Sequence, residues 1–149
     1  MISVQTDDFI VQTAYEKLLD HEGQAGAIVS FVGKVRDFQT DEKHAEFYLE
    51  HYPGMTEKTL RDIEQEAHKR WTLSKSLIIH RVGKLTVNDQ IVFVGVASKH
   101  RKDAFLACEF IIDVLKTQAP FWKKEGDNWV QANADDQLSY QRWQQEAQP

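Results

Sequence analysis

Apolar and polar positions recur along this chain with two different periods, and the switches between them mark out the elements. Ile2 and Val4 alternate with polar residues, which predicts a short first strand. Ile10, Val11, Ala14, Tyr15 and Leu18 fall at helical spacing and predict a helix to about Leu19, with Asp7 or Asp8 as its cap. Residues 21–26 read as a turn, and the β-branched run 27–33 as a buried strand. Residues 36–44 are charged without period and are expected to form a mobile loop.

Residues 45–52 return as a strand that Pro53 and Gly54 break. From Thr56 to about Trp71, Leu60, Ile63 and Ala67 share one face of a long amphipathic helix. A strand over 77–82 follows, then a turn at Val87-Asn88-Asp89, then the nearly continuous apolar run 90–97, expected at the centre of a sheet. Phe105, Cys108, Ile111, Ile112 and Leu115 keep the 3.6 period of a second helix over about 102–117, which Pro120 ends. A turn at 126–128 precedes a short strand over 129–132, and the polar tail from about 135 is expected to fray. Strands and helices mix without regular βαβ alternation, so the pattern predicts an α+β fold in one domain spanning 1–149.

Composition adds limits. With 42% hydrophobic residues the chain can bury a sizeable core. A net charge of −5 argues against a duplex-binding protein, which needs a basic footprint, so cations that matter must be local. One cysteine permits no intramolecular disulfide, which fits a reducing compartment. The first residues lack a signal-like basic and apolar pattern, and the strongest apolar run falls far short of the ~20 residues that span a bilayer. A cytoplasmic protein is expected.

Three basic clusters are candidates for chemistry. Gly33-Lys34-Val35-Arg36 ends a buried strand at the mouth of a loop, where cations could capture an anion or simply be hydrated. Ser98-Lys99-His100-Arg101-Lys102 opens a helix whose free N–H groups already favour anions, so added cations are either a binding site or solvated surface. Lys116 lies seven residues before Lys123, across the Pro120 turn, with Lys124 next to it. Packing of Phe121 and Trp122 could desolvate Lys123 and lower its pKa for proton transfer, or the lysines could merely favour a helix C-terminus. Cys108 falls on the apolar stripe and reads as packing rather than a nucleophile. The six histidines show no metal-ligand spacing, so no metal is expected; His51 and His80 read as structural.

The segments Phe31-Val32-Gly33-Lys34-Val35-Arg36, Leu49-Glu50-His51-Tyr52-Pro53-Gly54-Met55, Ile79-His80-Arg81-Val82-Gly83, Asp89 to Val96, His100-Arg101, and Leu115-Lys116-Thr117-Gln118-Ala119-Pro120-Phe121-Trp122-Lys123-Lys124-Glu125 occur in this order. Over roughly 26–132 they resemble the catalytic, large subunit family of molybdopterin synthase. The resemblance implies an α+β hammerhead-type fold, with a mixed or antiparallel sheet and two main helices packed on it. It also implies a homodimer at the centre of a heterotetramer, with a small ubiquitin-like sulfur-carrier subunit at each end. The implied reaction moves two sulfurs from the carrier's C-terminal thiocarboxylate onto cyclic pyranopterin monophosphate, with no cofactor.

Carried onto this chain, the resemblance places substrate contacts at Lys34, Val35 and Arg36, and at His100 and Arg101. The remaining contacts are Lys116, Lys123, Lys124 and Glu125, with Lys116 and Lys123 also catalytic. Arg36, His100 and Arg101 would hold the phosphate and pterin, Lys116 would face the incoming thiocarboxylate, and Lys123 would serve as acid/base or charge stabiliser. Asn133 stands where some members carry a basic residue. Rival readings are a non-catalytic module for a phosphorylated small molecule or single-stranded RNA, and a scaffold that docks an acidic partner tail.

Overall fold

In chain order the computed structural model contains β1 (Ile2–Gln5), α1 (Val11–Glu16), β2 (Ala27–Lys34), β3 (Phe47–His51), α2 (Met55–Arg70) and β4 (Leu73–Arg81). Then come β5 (Gly83–Leu85), β6 (Gln90–Ser98), α3 (Arg101–Gln118), β7 (Phe121–Glu125), β8 (Asn128–Val130) and α4 (Ala134–Glu146). Residues 1–36, 47–125, 128–130 and 134–146 are described, those at 47, 122–125, 128–130, 134–137 and 145–146 by backbone alone. The loop expected over 36–44 lies outside them except for Arg36.

The strands form two four-stranded sheets, ordered β1-β4-β6-β2 and β5-β3-β7-β8. In the first, β1 runs parallel to β4 and the other pairs are antiparallel; in the second every pair is antiparallel. The α+β architecture expected from the pattern is therefore present, with its strands divided between two sheets rather than one.

The apolar run of β6 is explained by burial on both faces. Val92, Val94 and Val96 face a core built with Leu60, Ile63 and Ala67 of α2 and Ala104, Ala107, Ile111 and Leu115 of α3. Phe93 and Ala97 face the other way, against Phe9, Ala14 and Leu18. Gly95 leaves no room for a side chain, because a Cβ there would overlap Leu18 Cδ1 and the Phe93 ring. A third cluster, Val35, Leu49, Val82 and Leu85, with Val4, Ile91 and Phe121 against it, joins the first sheet to the second.

Four expectations need correction. The first helix is short, and neither Asp7 nor Asp8 caps it: Ile10 is the N-cap without a side-chain bond, while Asp8 Oδ1 accepts from the Phe9 and Gln90 nitrogens instead. Of its expected apolar face, Ala14 and Leu18 are buried but Ile10, Val11 and Tyr15 are exposed. Phe105 is likewise exposed although it matches the period of α3.

The largest correction concerns the tail, which forms α4. The buried Trp143 packs edge-on against Trp71 and Phe110, with ring centroids 5.7 and 5.6 Å away. Its indole Nε1–H donates to Asp113 Oδ2 at 2.6 Å, and Arg142 bonds Glu109 at 3.0 Å. Desolvation raises the Asp113 pKa from its ordinary value, against the lowering effect of the Trp143 bond.

Candidate active site

The segment that ends β2 is held by its middle residue. The β2–β6 register shifts between Gly33 and Lys34, so Gly33 pairs with Val92 and Lys34 with Gln90. A side chain on Gly33 would meet Val92 Cγ1 at 2.6 Å. The Val35 N–H donates to the Asp89 carbonyl at 2.8 Å, and the Asn88 N–H donates to the Val35 carbonyl at 2.7 Å. Val35 is buried while Lys34 and Arg36 are exposed. Its side chain anchors the segment in the third cluster.

The second basic cluster opens α3. His100 is the N-cap, in extended conformation and without a side-chain cap bond, and Arg101 begins the helix; both are exposed. The entry is rigid. Ser98 is fully buried with its hydroxyl on the Thr72 carbonyl at 2.7 Å, and a Cβ on Gly26 would lie 2.5 Å from the Lys99 carbonyl oxygen.

Lys116 sits in the last turn of α3 and is exposed. Beyond Pro120 the chain enters β7, where Lys123 pairs with Leu49 and Val130, Lys124 with Tyr48 and Trp129, and Glu125 with Phe47 and Asn128. Phe121 at the head of β7 stacks on the buried His80.

The two ends of α3 separate the expected site residues into two groups. β2 pairs Ala27 with Ser98 at one end and Lys34 with Gln90 at the other. His100 and Arg101 follow Ser98, so they belong to the first end. α3 then runs back along β6, with Cys108 Sγ 3.8 Å from the Val94 carbonyl, and delivers Lys116 toward the Gln90 end. At 1.5 Å per residue, Arg101 and Lys116 are roughly 22 Å apart along the helix. The structure thus brings Lys34, Arg36, Lys116 and the backbone of Lys123–Glu125 to one side of the molecule, away from His100 and Arg101.

Cys108 is sealed in the core, and burial, with Glu109's charge second, pushes its thiol pKa up to about 12. It is protonated at neutral pH and offers no thiolate.

Against this geometry, comparison with known proteins decides the family. The MoaE protein family matches residues 4–118. The chain belongs to the MoaE family. A molybdopterin synthase catalytic subunit of Vibrio cholerae is 50% identical over 147 residues, covering 96% of this chain and 97% of its own length. The structure of the molybdopterin biosynthesis MoaE protein of Burkholderia ambifaria superposes with a TM-score of 0.82 at 47% identity, covering 95% of this chain and 96% of the other. A complex of subunits 1 and 2 of the molybdopterin-converting factor of Helicobacter pylori matches with a TM-score of 0.71 at 18% identity, covering 89% and 90%, which speaks to fold alone.

MoaE relatives are enzyme subunits of molybdenum cofactor biosynthesis, so the resemblance seen in the sequence is borne out at the level of family and enzyme class. The family match begins earlier than residue 26, at residue 4, and ends at residue 118. Two features of this MoaE chain escape sequence reasoning: the hold of Asn88 and Asp89 on Val35, and the His80–Phe121 stack. The first shows in sequence only as a turn signal, the second only as a histidine in a strand.

Proposed function

We propose that this chain, acting as one domain, transfers two sulfurs to cyclic pyranopterin monophosphate from the C-terminal thiocarboxylate of a small ubiquitin-like carrier. The observation that carries the reading is the state of Cys108. A MoaE-family chain whose one cysteine is buried and protonated has no thiolate with which to take up and relay sulfur, so the sulfur arrives on a partner.

In this proposal the cations do the electrostatic work. Arg36 binds the substrate phosphate, Lys34, Lys124 and Glu125 line its approach, and Lys116 stabilises charge as sulfur leaves the thiocarboxylate. Lys123 holds or moves a proton at the pterin. His100 and Arg101, at the far end of α3, reach the same substrate when the protein is a homodimer inside a heterotetramer and each protomer lends its α3 N-terminus to its partner's lysines.

No helix among the described residues is long and apolar enough to cross a membrane. We place the reaction in the cytoplasm.

The test is reconstitution from purified chain, thiocarboxylated carrier and cyclic pyranopterin monophosphate, with molybdopterin as the readout. Tight binding of the pterin without product would replace the enzyme by a binding module. Activity with a carrier lacking its terminal Gly-Gly would refute tail-delivered sulfur.

A further inference from the structure

We propose that Asn88 and Asp89 are positioning residues that aim Lys34 and Arg36 at the substrate; this rests on the sulfur-transfer reading above. The β2–β6 ladder breaks its register at Lys34, so strand pairing alone does not define the backbone that follows. The turn between β5 and β6 takes over. It grips Val35 by both backbone groups, at 2.8 Å through the Asp89 carbonyl and 2.7 Å through the Asn88 N–H.

The turn is itself braced. Asp89 Oδ2 accepts from the Thr86 N–H at 2.9 Å and from the Thr86 hydroxyl at 3.2 Å, and the Asp89 N–H returns a bond to the Thr86 carbonyl at 3.0 Å. Asn88 holds φ at 76°, a left-handed conformation that asparagine and glycine adopt readily and β-branched residues do not. Neither Asn88 nor Asp89 belongs to the basic clusters, so they act through Val35. With Val35 buried among Leu49, Val82 and Leu85, its two neighbours are turned outward together. Phe121 packs on that same cluster, so the clamp also sets the cations against the start of the lysine-bearing strand β7.

The experiment compares Asn88→Val, Asn88→Gly, Arg36→Ala and the Asn88→Val/Arg36→Ala double variant in the reconstituted synthase. Asn88→Val should raise KM for the pterin by about tenfold, the lower end of what one lost charge-assisted contact costs. Its kcat should stay within about twofold, because only substrate placement changes. Asn88→Gly should restore KM, since glycine accepts the same φ. In the double variant Asn88→Val should cost clearly less than it does alone, because one of the two residues it aims is gone.

Unchanged KM in Asn88→Val, or effects that simply multiply in the double variant, overturns the proposal. If Asn88→Val does not fold, Thr86→Val removes only the hydroxyl brace and should raise KM severalfold; unchanged KM there is equally fatal. Should the unsubstituted chain give no turnover at all, the sulfur-transfer reading is what has failed. The clamp is then read from hydrogen exchange of the Val35 amide. That amide should be protected in the unsubstituted chain and in Asn88→Gly, and exchange at least about tenfold faster in Asn88→Val, where an open backbone bond loses protection. Equal exchange rates would sink the clamp.

Discussion

The imidazole of His80 lies flat on the ring of Phe121, with centroids 3.9 Å apart and planes 16° from parallel. His80 is a buried residue of β4 in the first sheet, and Phe121 heads β7 of the second. His80 Nδ1 lies 2.8 Å from the Arg81 carbonyl, so that nitrogen carries the proton and donates. The stack joins the two sheets where the chain has just left Lys116 and is about to reach Lys123.

Removing this contact should therefore affect both stability and the lysines. His80→Ala leaves a void and removes the ring donor from the Arg81 carbonyl, and should cost about 2 kcal/mol or more of unfolding free energy in urea titrations. It should also lower turnover. His80→Phe keeps an aromatic face for Phe121 and should retain more turnover than His80→Ala. If both variants work at the unsubstituted rate, the stack does not position the lysines.

Lys116→Ala and Lys123→Ala should each slow molybdopterin formation by at least about a hundredfold, the usual scale for losing a group that stabilises developing charge. Carrier and pterin affinity should change far less, since only stabilisation specific to the transition state speeds the step. Arginine at either position should rescue poorly, because it keeps charge but not proton exchange. Single-turnover transfer at saturating carrier and pterin is the measurement. Near-normal rates would reduce both lysines to binding residues.

The separation of the ends of α3 makes a second demand on the lysines. If Arg101 of one protomer serves Lys116 of the other, a dimer mixed from Arg101→Ala and Lys116→Ala protomers contains one intact site and one doubly broken site. At a pterin concentration where neither variant alone turns over, random reassortment of the two should then recover about a quarter of full turnover, because half the dimers are mixed and half of their sites are whole. No recovery after verified exchange of protomers would put both residues in one protomer's site.

Cys108→Ala should keep most turnover and cost about 1 kcal/mol through the small cavity it leaves. The thiol has a direction of pH dependence that can be worked out. Its pKa in the fold is raised from 9.0 to about 12, so the folded protein holds the proton where the unfolded chain releases it. Its contribution is fully present below about pH 9 and is lost as pH rises toward about 12. Cys108→Ala should flatten the decline in stability over that window, followed by denaturant midpoint against pH. An unchanged decline would show that other groups cause it.

The chain's own pattern determines its secondary structure and its chemistry class. A continuous β-branched run can satisfy burial on both faces only as an interior strand, and β6 is one. Leu60, Ile63 and Ala67 leave one solution, an apolar stripe against a core, as in α2. Basic clusters with ordered motifs point to the family before any fold is known, because residue types and spacing are local properties.

What only the tertiary structure decides are the relations that depend on partners distant in sequence. The polar stretch after residue 133 has too few apolar positions to predict a packed helix. Yet Trp143 anchors α4 by filling the space between Trp71 and Phe110. Val35 reads as one more residue in a basic segment until Asn88 and Asp89, some fifty positions later, close on its backbone. Arg101 and Lys116 look like members of one site in a linear list, and the length of α3 sets them apart. Periodicity reports which way a residue faces; what it faces is set by chain closure and packing, which periodicity does not contain.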